Sequence, residues 1–268
     1  MHTELVDGRL ALRCNLPPFV DDCVGIDGAP CDDADLDGLA DVWEDAALDR
    51  MRPLRRLDEA ESLVDDPLTV LGDVGRVYAE GDHFRVFVML GYHQDYGSCG
   101  VSAHHGDPER VALDLVAYPE GDVGGVVVVG AYTAAHENTA TDHGHVYVDA
   151  ELDELVFDLD DVTSEPRWVI FASADKHASY GTVASCESAS MVPCLDEDCG
   201  PDGVRDPSLF DRLPDFVNAG EEAAPRVTAL DDLGFPGDDA WAMQDFCGGQ
   251  ERTNCSAPVR DKLLVDPF

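Results

Sequence analysis

Basic residues are scarce in this sequence. Seventeen lysines and arginines stand against 56 aspartates and glutamates, and Lys176 and Lys262 are the only lysines. The formal net charge is −39. A field of that sign repels phosphate backbones and excludes nucleic acid as an expected partner. It also repels anionic lipid, unless bound cations bridge the contact. Long apolar runs are missing. No stretch approaches the roughly 18 apolar residues of a membrane-spanning helix, so no transmembrane segment is expected. The opening MHTELVDGRL lacks the basic and apolar regions of a signal peptide and reads as a mature form without its leader.

Several catalytic signatures are absent too. There is no GxSxG elbow for a serine hydrolase. His136-Glu137-Asn138 does not extend to HExxH. No CxxC pair offers a zinc ribbon. No internal repeat or low-complexity tract stands out.

Cysteine, by contrast, is plentiful: Cys14, Cys23, Cys31, Cys99, Cys186, Cys194, Cys199, Cys247 and Cys255. That usage fits an oxidising compartment, so the expected location is secreted, periplasmic or cell-surface. Cys186, Cys194 and Cys199 share one loop-like stretch, and Cys247 and Cys255 bracket another. Spacing alone leaves the connectivity open. The odd count leaves one thiol free or joined to another chain.

The 268 residues, 44% hydrophobic, suffice for one good-sized core and a small appended module. Residues 1–31 read as an irregular lead-in. A helix is expected from Leu39, with Leu39, Val42, Trp43 and Ala46 on one side and Pro53 closing it. Residues 54–75 read as a mixed connection. Five β-branched or aromatic runs follow, at 84–93, 110–118, 124–135, 145–149 and 167–174, separated by Gly, Pro and Asp turns. This pattern predicts a mainly β protein, an antiparallel β-sandwich, with an N-terminal calcium-loop and helix module. The expected division is 1–56 and 57–268, the latter ending in a disulfide-pinned tail.

The stretch from Asp33 to Glu44 fits an EF-hand loop position by position. Asp33, Asp35 and Asp37 take positions 1, 3 and 5, and Gly38 supplies the sharp turn. Leu39 offers its carbonyl, Asp41 takes position 9, and Glu44 is the bidentate last ligand. Ca²⁺ is the expected ion. Gly28, Pro30 and Cys31 exclude an incoming helix, so the loop reads as a structural staple rather than half of a paired sensor.

A second constellation lies in HHGDPERVALDL. Strand alternation puts Asp107 and Glu109 on the face of Val111, Leu113 and Leu115. Buried carboxylates there need a partner cation or a proton. His104 and His105 precede them, and Pro108 marks a strand start or edge. Asp95, His136 and His177 each follow an apolar run, so a shared site forms if those strand ends gather at one pole.

The segments H-x-G-D-x-E (His104, Gly106, Asp107, Glu109), A-x-H (His136) and K-H-A-S-Y (Lys176 to Tyr180) resemble the vacuolar-protein-sorting 62 family. More distantly they are similar to the necrosis- and ethylene-inducing-peptide-like toxins. Pro108 and Lys176 depart from the family's Trp and Gly, and Gly106 stands where the toxins have a second His. The resemblance implies a β-sandwich holding a divalent metal through Asp95, His104, Asp107 and Glu109, with Mg²⁺ or Ca²⁺ as the second cation.

The leading expectation is a non-enzymatic, toxin-like or surface-binding protein whose second cation bridges to a glycan or lipid headgroup. The alternative is a hydrolase with a metal-activated water and His136 or His177 as general base. A third reading makes both metals structural, with function in a partner. Oligomeric state is not legible.

Overall fold

Alternating apolar and polar side chains build most of this protein into strands. The computed structural model describes residues 1–25, 28–58, 60–62, 73–97, 104–118, 124–137, 142–189, 197–200, 216–218 and 265–268. Strands β1 (His2–Val6) and β2 (Arg9–Arg13) precede helix α1 (Asp41–Met51) and β3 (Leu54–Leu57). Then come β4 (Asp73–Glu80), β5 (His83–Asp95), β6 (His104–Ala117), β7 (Val126–Thr133) and β8 (His145–Val148). After them run β9 (Phe157–Leu159), β10 (Pro166–Ala172), β11 (Ser179–Tyr180), helix α2 (Val183–Ser188) and β12 (Phe216–Asn218).

The larger sheet has the order β1-β2-β7-β6-β5-β4-β12, and β8 pairs with β7 beyond the end of β2. The smaller has the order β11-β10-β3, with β9 also on β10. Pairing is antiparallel except β3–β10 and β4–β12. The protein is therefore mainly β with antiparallel sheets and a small helix, and a sandwich describes the layering.

One core joins α1 to both sheets. Val111, Leu113 and Leu115 of β6 meet Trp168, Ile170 and Ala172 of β10 and Trp43, Ala47, Leu48 and Met51 of α1. On the other face of β10, Val169 and Phe171 pack with Tyr180, Cys186 and Cys199. Strand β10 is thus covered on both sides, as its unbroken apolar run WVIFA requires.

Three expectations need correction. Residues 1–31 are not irregular throughout, because β1 and β2 extend the larger sheet. Their signal, Leu10-Ala11-Leu12 between two arginines, is short, and Pro17 and Pro18 follow it closely. The connection at 54–75 contains β3 and the start of β4. Helix α1 begins at Asp41, and Val42 is 47% exposed, because the buried stripe is centred on Trp43, Ala47 and Met51. Pro108, opposite Gly91, lies where β6 has run past the last β7 pair, Val111 with Thr133. The missing N–H falls on an edge there, as expected.

Gly124 locks the lead-in against the core. Its N–H donates to Cys14 O at 3.1 Å, and its carbonyl accepts from Trp43 Nε1 at 3.1 Å. A methyl at this position would overlap the Leu16 carbonyl oxygen. Gly124→Ala is expected to cost at least about 1–3 kcal/mol in urea unfolding, since backbone on both sides is held. An unchanged midpoint would show that this joint can slide.

Candidate functional site

The calcium-loop sequence forms a tight carboxylate cluster. Gly38, at φ +94°, makes the turn that an L side chain would resist. Asp33 accepts from the Asp37 and Gly38 N–H groups, each at 3.1 Å. Asp37 accepts from Leu39 N at 2.8 Å, and Asp41, the first residue of α1, accepts from Ala34 N at 2.9 Å. Backbone bonds Val20 N to Gly38 O and Ala40 N to Pro18 O tie the loop to the lead-in, which the Cys23–Cys31 disulfide closes.

Asp33, Asp35 and Asp37 bring ligand oxygens within 4.8 Å of one another, the one such group of three among the described residues. Asp35 is only 4% exposed. One oxygen each of Asp35 and Asp37 is buried without a hydrogen-bond partner. Burial pushes both carboxyls above the usual range, and neighbouring Asp33 adds to it, while Arg76 of β4 works the other way. Glu44 is buried one turn along α1. An all-oxygen set with orphaned buried acceptors fits a hard cation such as Ca²⁺. Asp33, Asp35 and Asp37 would supply the first ligands, with Leu39, Asp41 and Glu44 as the remaining expected members.

The strand ends of the β region do converge. Tyr96 N, just past β5, donates to Asp175 O at 2.8 Å, and Ser179 N donates to Ala134 O, just past β7, at 2.8 Å. At their meeting point His177 is fully buried, with Nδ1 2.8 Å from Asp107 Oδ2 and Nε2 3.2 Å from Glu61 Oε2. Its ring stacks on Tyr92 at 4.2 Å and 10°. Burial pulls the imidazole pKa down, but the bonds to Asp107 and Glu61 outweigh it and lift it to about 10. His177 is thus an imidazolium between two carboxylates. On Tyr92 also sits Arg55, 5.1 Å from the ring centre, which pairs with buried Asp73.

Asp107 is bonded to His177. Glu109 lies two residues along the same strand, nearly buried, with its charge felt by Tyr92 and Tyr180. Asp95 accepts from Gly97 N and stands opposite His104 across the β5–β6 ladder. The side chain of His104 lies outside the described residues, as do Cys99, Cys194, Cys247 and Cys255. Cys186 pairs with Cys199. Sequence reasoning missed Glu61, which sits in the segment that reads as a mixed connection and carries no motif.

His136 is engaged elsewhere. Its Nε2 lies 2.7 Å from Glu197 Oε1, which also takes Lys176 Nζ at 2.9 Å. Burial alone would raise the Glu197 pKa, but hydrogen bonds from His136, Ser173 and Lys176 lower it from 4.5 to about 2. A depressed carboxylate pKa stabilises the fold above the unfolded value, and the gain disappears as pH falls through the folded one. Glu197→Gln is therefore expected to lose about 1–3 kcal/mol near neutral pH. The gap to the parent should close between pH 4.5 and about 2, read from urea midpoints across that range. A gap independent of pH would mean that the carboxylate charge is not what matters.

No family model and no curated protein matches this sequence. One solved structure, "Toxin fold for microbial attack and plant defense", superposes with a TM-score of 0.34 at 11% identity, covering 66% of this chain and 74% of that chain. Likeness at that level carries no argument about fold or function. No helix among the described residues is long and apolar enough to cross a membrane. The Cys23–Cys31 and Cys186–Cys199 disulfides among the described residues are consistent with an extracellular protein.

Proposed function

We propose that this chain is a calcium-stapled extracellular β-sandwich protein whose ion is held by the Asp33–Glu44 loop. One observation carries the reading: Asp35 and Asp37 each bury a carboxylate oxygen that no hydrogen bond reaches, beside Asp33. Such oxygens are costly to bury and fit a bound cation. The ion then fastens the lead-in to α1, through the backbone bonds between 18–20 and 38–40.

A surface-binding role, with glycan or lipid headgroup as partner, would build on this scaffold. A hydrolytic role finds less support, since both nitrogens of His177 face carboxylates in the buried interior and His136 holds Glu197. Elemental analysis after dialysis tests the central reading. About one calcium per chain is expected for the loop, lost in Asp35→Asn with the fold retained by circular dichroism. Calcium content unchanged by that substitution would defeat the assignment.

A further inference from the structure

A cavity of about 380 Å³ opens at the end of the larger sheet, outside both carboxylate clusters. Pro18, Phe19, Phe84, Ala117 and Val126 supply apolar walls, and Asp22 is the one ionisable side chain in its lining. We propose that this cavity binds a small organic cation: an ammonium group carried on an apolar, preferably aromatic, body.

The walls are preformed. Phe19 and Phe84 rings lie 5.8 Å apart, and Phe84 is backed by buried Trp43 at 4.9 Å. Pro18 and Val20 are bonded to Ala40 and Gly38, and Tyr118 N donates to Gly125 O at 2.8 Å. Asp22 ends a short 3-10 turn, Val20–Asp22, and adjoins Cys23, whose disulfide to Cys31 fixes the backbone beside it. A rigid wall spares the ligand the entropy of ordering the site.

The chemistry of the lining selects the ligand. Apolar walls of this size suit a compact hydrocarbon body. Aromatic faces attract cations through the ring quadrupole. A carboxylate at the wall and a net charge of −39 over the chain favour positive ligands and repel anions. A neutral apolar ligand would use the walls but not Asp22. An inorganic cation would use Asp22 but not the walls.

The test is calorimetric titration of the full, calcium-loaded chain with benzyltrimethylammonium and, separately, with benzyl alcohol. The ammonium should bind at one saturable site, at least about tenfold more tightly than the alcohol. Asp22→Asn should weaken it by roughly two- to fivefold, the range of an exposed ion pair, with the fold retained because Asp22 is exposed. Ala117→Leu, which narrows the cavity, should weaken the binding of both probes without shifting the melting temperature by more than a few degrees. Equal affinity for the two probes would overturn the proposal. So would multi-site binding insensitive to Asp22→Asn, the signature of diffuse attraction to an acidic surface.

Discussion

His177→Ala is expected to cost about 3–5 kcal/mol of unfolding free energy, among the largest single losses available to this chain. The substitution removes the positive charge that Glu61 and Asp107 share while leaving both carboxylates in the interior. It also removes the ring that stacks on Tyr92. The cost of an interior ion cluster lies in breaking it, because charges taken from water have no second source of compensation. Neutralising the carboxylates in the same background should therefore restore part of the loss. Glu61→Gln, Asp107→Asn, His177→Ala together should be more stable than His177→Ala alone. Equilibrium urea unfolding reads all of these. A loss below about 1 kcal/mol for the single variant would mean that water or another group takes over the bridge.

Chelating the ion proposed for the Asp33–Glu44 loop should produce an effect of similar size. At free calcium a thousandfold above the dissociation constant, binding adds about 4 kcal/mol to stability, and chelator removes it. Two unit charges 4.8 Å apart repel by about 3.5 kcal/mol at an effective dielectric near 20, which is the tension among Asp33, Asp35 and Asp37 that a cation relieves. The expected readout is a melting temperature that rises with calcium in the parent and is flat in Asp35→Asn. Hydrogen exchange should localise the change. The amides of Val20, Gly38 and Ala40, which join the loop to the lead-in or lie in its turn, should lose protection first on chelation. Melting curves that coincide with and without calcium would remove the staple from the account.

Much of the β architecture is legible from runs of β-branched and aromatic residues between turn residues. The runs at 84–93, 110–118 and 167–174 lie within β5, or overlap β6 and β10, because at least one face of each strand, and both faces of β10, had to be apolar. Short strands such as β1 and β3 escape, since five or four residues carry too little periodicity to register. For α1 the existence of the helix was readable, but the buried stripe was not. Val42 and Trp43 are neighbours on the helix, and only the position of the sheet decides which one faces inward.

The sequence by itself determined the carboxylate cluster at Asp33, Asp35 and Asp37. In an EF-hand-type loop the residues at positions 1, 3 and 5 turn their carboxylates toward one centre, so local spacing is enough. It also indicated that Asp107 would lie on the core-facing side and would need a partner cation or a proton. The identity of that partner was decided only by the tertiary structure. His177 is 70 residues from Asp107 along the chain, and Glu61 comes from a different segment again. No short-range pattern encodes such a meeting. Compensation of a buried charge depends on which groups the packing of strands and loops brings within about 3 Å, and that is a property of the whole fold.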